Sequence, residues 1–213
     1  MPLAFPPLYV IIGAILPGSS PAALAERLVS AGVELIQYRD KQATSRTLYQ
    51  TGLEILRCLE PHSARLIVND RPDIAALVEA AGVHVGQDDL PVAAARAIVG
   101  PGRWVGVSTH TLEQVRQADA TGADYLAFGP IFETSTKVPA DPAVGIEGLR
   151  RARALTLKPL VAIGGITLDR AAELWRAGAD SVAVARDVAQ AADPAARARS
   201  YLLLAAEVFG ERC

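Results

Sequence analysis

Apolar residues in this chain gather into short blocks of four or five, separated by segments in which apolar positions recur every three or four residues. The blocks fall at 8–12, 33–37, 65–68, 83–86, 104–107, 125–128, 160–163 and 181–184. Each is short and mostly apolar, as expected of a parallel strand buried on both faces. Between the blocks, Leu24 with Leu28, Leu53 with Ile55 and Leu56, and Ala171 with Leu174 and Trp175 form apolar stripes at helical spacing. The junctions Ala31-Gly32, Ala81-Gly82, Thr121-Gly122 and Ala177-Gly178 each lie just before a block. They predict a helix ended by a left-handed glycine and followed at once by a strand.

Eight strand–helix units of roughly 25 residues each predict an α/β fold, a single-domain (β/α)8 TIM barrel over residues 1–213. An open doubly wound sheet is the alternative, and would normally use fewer strands for this length. No linker, low-complexity tract or shift of composition marks a second domain. The segment 133–145, rich in Thr, Ser and Pro, is the longest loop candidate and a candidate lid.

Charge narrows the field of function. The formal net charge is −2 and no basic block is present, so nucleic acid is not an expected partner. The apolar run 8–16 is broken by Gly13, stopped by Pro17 and Gly18, and preceded by no basic segment. It reads as a strand and its exit loop, not as a signal or membrane anchor, and a cytoplasmic protein is expected. Two cysteines, Cys58 and Cys213, lack C-x-x-C spacing and give no disulfide framework or zinc site. Eighteen arginines stand against three lysines, which makes the position of each lysine informative.

In a parallel barrel, catalytic side chains collect where the strands end. Strand two exits through Gln37, Tyr38, Arg39, Asp40 and Lys41, strand three through Asn69 and Asp70, strand four through Gly86, Gln87, Asp88 and Asp89. Strand five exits through Ser108, Thr109 and His110, strand six through Gly129 and Pro130 toward Thr134, Ser135, Thr136 and Lys137. Strand seven exits through Gly164 and Gly165, strand eight through Ala185 and Arg186. Arg39, Lys41 and Lys137 converging with Asp70, Asp88 and Asp89 suit an anion held with a metal. Mg2+ is the metal that accepts one or two carboxylates and completes its shell with water and phosphate oxygens. Asp70 and Asp89 are its candidate ligands; Arg39, Lys41, Lys137 and Ser108 are candidates for the remaining phosphate oxygens. The competing reading makes Asp70 or Asp89 an ordinary helix N-cap. Asp88 is assigned to such a cap or to a supporting role, and Asp40 to structure. His84, inside an apolar run, reads as a core or supporting residue more than as a base. Gly164-Gly165 is either a tight turn or a place where backbone N–H groups approach a second phosphate.

These stretches resemble thiamine phosphate synthase. The resemblance rests on Gln37 to Lys41, Val68-Asn69-Asp70-Arg71, the run from Gly82 to Leu90, Gly106-Val107-Ser108, Asp124-Tyr125, Phe128-Gly129-Pro130, Thr134 to Lys137 and Ile163-Gly164-Gly165-Ile166. It implies a transferase of thiamine biosynthesis that couples hydroxymethylpyrimidine diphosphate to a thiazole phosphate and releases pyrophosphate. It further implies that Gln37, Arg39, Lys41, Asn69, Ser108 and Lys137 hold the pyrimidine diphosphate, with Tyr38 and Asp40 in the same substrate-binding run. Asp70 and Asp89 would bind Mg2+, while Thr134, Thr136 and Gly165 would hold the thiazole phosphate, with Ser135 in the same substrate-binding run. Arg39, Lys41, Ser108 and Lys137 would stabilise the departing pyrophosphate. No protein nucleophile is then needed, in keeping with the lack of a convincing Ser-His-Asp or Cys-His set. A homodimer is compatible with the family.

Two departures stand out. Where family members often carry Val-Ser after strand eight, this chain has Ala185-Arg186, whose arginine could replace the missing contact electrostatically. Where the first strand usually ends in Thr-Asp, Ile12-Gly13 stands, and nothing is assigned there. A thiazole tautomerase of the same superfamily would place histidine at Pro130 and lack the paired aspartates. A non-catalytic barrel sensing thiamine precursors is the rival from another class.

Overall fold

The computed structural model describes residues 5–13, 20–134 and 142–211. Eight parallel strands close on themselves in the order of the chain. They are β1 Leu8–Ile12, β2 Leu35–Tyr38, β3 Arg65–Asn69, β4 Gly82–Val85, β5 Trp104–Thr109, β6 Tyr125–Phe128, β7 Leu160–Ile163 and β8 Ser181–Val184. Closure is direct, since β1 pairs with β2 through Val10 and Ile36 and with β8 through Val10 and Val184.

Helices cover the outside: α1 Pro21–Val29, α2 Ser45–Leu59, α3 Pro72–Leu77, α4 Val92–Val99, α5 Leu112–Asp119, α6 Gly145–Arg153, α7 Leu168–Arg176, the short α8 Arg186–Ala189, and α9 Pro194–Gly210. Their starts follow from local chemistry. Ser20, Thr44 and Thr111 accept the N–H three residues on, and Asp193 accepts those of Ala195 and Ala196. None of the described helices is long and apolar enough to cross a membrane.

Because strand side chains alternate, the sheet builds two cores. One parity, Leu8, Val10, Ile12, Ile36, Tyr38, Leu66 and Val68 among others, packs against the helices. The opposite parity, Tyr9, Ile11, Leu35, Ile67, Tyr125, Ala127, Val161 and Ala183, fills the barrel. At the amino end Phe5 stacks on Trp104 with ring centroids 5.4 Å apart and closes that end with aromatic surface.

Two expectations about junctions are corrected. Gly32 and Gly178 have positive φ, as predicted, but Gly82 and Gly122 do not. Gly82 opens β4 instead, where any Cβ would collide with the Trp104 backbone, and Glu79 takes the left-handed position. The second strand also begins at Leu35, since the N–H of Val33 turns back to the Leu28 carbonyl and ends the helix.

The amino-end rim is fastened by a repeated device. Asp124 accepts the Val105 N–H at 2.6 Å and pairs with Arg96. Asp180 accepts the Leu160 N–H at 2.7 Å and pairs with Arg153 at 2.7 Å. Each carboxylate thus ties an N–H at the start of a neighbouring strand, and each has its own guanidinium.

Candidate active site

At the carboxyl ends of the strands the barrel opens into a cavity of about 600 Å3. Its floor is apolar, formed by Ile11, Ala127, Ile163 and Ala183, and its walls carry the polar strand exits. Alternation decides which exit residues arrive. Gln37, Arg39 and Lys41 line the cavity, whereas Tyr38, between them, points into the helix-facing core and is 2% exposed. Asp40 likewise stays outside, its Oδ1 accepting the N–H groups of Gln42 and Ala43. Tyr38 and Asp40 are therefore removed from the substrate-contacting set. Asn69, Asp70, Asp88, Asp89, Ser108, Thr134, Gly165, Ala185 and Arg186 all line the cavity. Ser135, Thr136 and Lys137 lie outside the described residues, as does most of the candidate lid.

The carboxylates of Asp70 and Asp89, from adjacent strand exits, approach within hydrogen-bonding reach of each other. Lys41 Nζ sits 2.9 Å from Asp70 Oδ2. Burial, and then the facing Asp70, push the Asp89 carboxyl above its ordinary range. Neither aspartate caps a helix: the residues before α3 and α4 are Arg71 and Pro91, without side-chain caps. Asp89 Oδ2 instead accepts the Gly86 N–H at 2.7 Å, which fixes the turn after β4. Asp70 has φ of 61°, and the Arg71 N–H returns to the Asn69 carbonyl at 2.8 Å across it. That is a γ-turn of the rarer, strained hand, and it is held by the Asp70 N–H donating to the His84 carbonyl at 2.8 Å.

Opposite the aspartates, Gly164 and Gly165 adopt φ of 101° and 64°. A Cβ at Gly165 would lie 2.6 Å from the Glu133 carbonyl oxygen, so the turn requires glycine on both conformational and steric grounds. Gly13, to which no role is assigned above, is required for a similar reason. Any side chain there would overlap the Arg39 carbonyl, whose own N–H bonds to Ile12 O at 2.8 Å.

Beneath the cavity lies a polar chain whose connections were not foreseen. Gln37 Nε2 donates to Tyr9 Oη at 2.7 Å, and Tyr9 Oη lies 3.0 Å from Tyr125 Oη. Tyr125 Oη is 3.0 Å from His84 Nδ1, and His84 Nε2 is 2.9 Å from Ser108 Oγ. A hydroxyl–imidazole pair is therefore present, though not as part of a Ser-His-Asp set. Its third member is a tyrosine hydroxyl in place of a carboxylate, and burial pushes the imidazole down to about 4. His84 is neutral at neutral pH and has little of the basicity a nucleophile's partner needs.

A family model described as thiamine monophosphate synthase matches residues 8–188. The chain belongs to the thiamine monophosphate synthase family. It is 47% identical over 205 residues to a thiamine-phosphate synthase of Koribacter versatilis, covering 94% of this chain and 96% of the relative. A thiamine-phosphate synthase of Chloroflexus aurantiacus is 46% identical, with 92% and 91% covered. Among solved structures, a thiamine phosphate pyrophosphorylase from Pyrococcus furiosus superposes with a TM-score of 0.87 at 33% identity, over 96% of this chain and 97% of that one. A 3-hexulose-6-phosphate synthase, 20% identical with a TM-score of 0.64, shows only that the barrel architecture is shared. Among the described residues of this family member, no three His, Cys, Asp or Glu side chains gather into a metal-binding group. The Asp70–Asp89 pair is a smaller acidic arrangement at the cavity wall.

Proposed function

We propose that the chain is a thiamine phosphate synthase, a transferase joining hydroxymethylpyrimidine diphosphate to a thiazole phosphate with release of pyrophosphate. The observation that carries this reading is the meeting of Asp70 and Asp89 beside Lys41 at one side of a cavity whose other side is the Gly164-Gly165 turn. The family membership and the thiamine-phosphate synthases similar to it agree.

Two facing carboxylates, one raised by burial and by its neighbour, with Lys41 the lysine in contact among the described residues, form a site suited to further positive charge. A small divalent cation with oxygen preference supplies it, and the donor set fits Mg2+. When bound there, Mg2+ supplies positive charge against diphosphate oxygens and lowers the cost of expelling pyrophosphate. Asp70 and Asp89 would hold it. Arg39, Lys41, Asn69 and the Ser108 hydroxyl would donate to the other diphosphate oxygens, Arg39 as a planar fork. Gln37 and the apolar floor would receive the pyrimidine ring. Thr134, Gly165, Ala185 and Arg186 would hold the thiazole phosphate, and the resemblance adds Ser135, Thr136 and Lys137.

In the reaction the bond between the pyrimidine methylene carbon and the diphosphate oxygen breaks, and its electron pair leaves with pyrophosphate. The thiazole nitrogen lone pair forms the new carbon–nitrogen bond. The aminopyrimidine donates electron density to the methylene while charge develops there. Seating both rings against the apolar floor of Ile11, Ala127, Ile163 and Ala183 would exclude water that competes for the same carbon.

The test is a product assay. The pure protein, Mg2+ and both substrates should yield thiamine phosphate and one equivalent of pyrophosphate, read by mass spectrometry. Absence of product at saturating substrates, with folded protein, overturns the proposal.

A further inference from the structure

The chain of five polar side chains beneath the cavity has a direction, and the direction can be worked out bond by bond. Its starting point is Tyr9 Oη, 1% exposed as a residue and in contact with two partners. The Gln37 amide nitrogen can only donate, so Tyr9 Oη accepts there. The Tyr9 hydrogen then goes to Tyr125 Oη, since buried hydroxyls rarely remain without an acceptor. Tyr125, having accepted, spends its one hydrogen on His84 Nδ1. A neutral imidazole that accepts at Nδ1 carries its hydrogen at Nε2, and that nitrogen faces Ser108 Oγ at 2.9 Å. Ser108 Oγ therefore accepts from the ring, and its own hydrogen is directed elsewhere.

We infer that His84 is a positioning residue, fixed by Tyr125 as the Nε2–H tautomer, which donates to Ser108 and so turns the Ser108 hydroxyl hydrogen into the cavity. The two ends of the chain are matched by this. Gln37 spends an N–H on Tyr9 at one end, while Ser108 presents a donor at the other, and both residues line the cavity. Phosphate oxygens accept hydrogen bonds and cannot donate when ionised, so a donor at Ser108 is the useful polarity; in this respect the inference rests on the proposed function. The same polarity excludes Ser108 as a nucleophile activated by His84, because Nε2 has no lone pair to receive its proton. Turning the Gln37 amide over would reverse every bond, place hydrogen on His84 Nδ1, and make Ser108 donate to the ring and not to a ligand.

The direct test is long-range proton–nitrogen correlation NMR on the substrate-free protein labelled with 15N in its three histidines, His62, His84 and His110. Signals are assigned by their loss in His62→Asn and His110→Asn. The expected result is a protonated Nε2 and an unprotonated Nδ1 for His84; a protonated Nδ1 overturns the inference. Because no substrate is present, this readout stands whether or not thiamine phosphate is formed, so failure of the activity assay and failure of the tautomer are separate results.

Kinetics give a second test. Tyr125→Phe should lower kcat by roughly tenfold, the worth of one well-placed hydrogen bond. Ser108→Ala combined with Tyr125→Phe should be no slower than Ser108→Ala alone. His84→Gln, whose amide nitrogen can reach the Nε2 position, should keep more activity than His84→Leu at matched melting temperature. Additive losses in the double variant, or equal losses in Gln and Leu variants that remain folded, would show a merely structural histidine and overturn the assignment.

Discussion

The two rims of the barrel use the same residue types to opposite ends. At the amino end, Asp124 and Asp180 each accept a strand N–H and each pair with an arginine that also bonds backbone carbonyls. At the carboxyl end, Asp70 and Asp89 face each other with one lysine between the pair and solvent. The first arrangement is complete within the chain and contributes to stability. In the second, two carboxylates share the contact of Lys41 and face an open cavity. An aspartate's meaning in this fold is therefore set by the end of the strand it occupies.

The largest expected effect comes from the carboxyl-end pair. Asp70→Ala or Asp89→Ala should lower kcat by about 100- to 1000-fold, as loss of an electrostatic stabiliser does, with the melting temperature little changed. Steady-state assay at saturating Mg2+ checks it, and retention of full turnover in both would erase the contrast between the rims.

Next in size is the mirror experiment at the amino end. Asp180→Ala leaves the Leu160 N–H and the Arg153 guanidinium without their carboxylate and should cost about 1–3 kcal/mol of stability. Urea unfolding measures the loss, and kcat per folded molecule should hold. A fall in kcat without destabilisation would place function on the wrong rim.

The pH dependence of stability should carry the same contrast. The folded Asp89 carboxyl is raised above its unfolded value, by burial first and Asp70 second. Its contribution is therefore present at pH below the unfolded carboxylate value and lost as pH rises through the folded one. Without metal, melting temperature should decline across that window, Mg2+ should reverse the decline at the upper end, and Asp89→Asn should flatten it. A metal-free wild-type curve identical to that of Asp89→Asn would contradict the raised value.

The smallest effect marks the edge of the site. Tyr38→Phe removes a hydroxyl from the helix-facing layer and should leave KM unchanged, with at most about 1 kcal/mol of stability lost. A KM shift of tenfold would return Tyr38 to the cavity.

Much of the barrel was legible in the sequence because strands buried on both faces leave short, mostly apolar blocks, and six of the eight blocks coincide with observed strands to within a residue at each end, as at 125–128 and 181–184. The polar exits were legible for the same reason, since the change from apolar to charged residues marks the strand end. What a linear run conceals is facing. Tyr38 and Asp40 were grouped with Gln37, Arg39 and Lys41 although a period of two sends them to the other side of the sheet. Glycine before a strand also proved ambiguous: Gly82 is needed for close approach to Trp104, not for a left-handed helix end. The links among Tyr9, Tyr125, His84 and Ser108 depend on four strands from different parts of the chain coming into register, and tyrosines within apolar blocks look like core. Their shared parity with His84 and Gln37 was the available signal.

The most direct measurement is calorimetric binding of pyrophosphate in the presence of Mg2+ to the unmodified protein, to Asp70→Asn and Asp89→Asn, and to Asp180→Asn. The two-rim account predicts binding to the unmodified protein and to folded Asp180→Asn, with loss in both carboxyl-end variants. Undiminished affinity in Asp70→Asn and Asp89→Asn would contradict it.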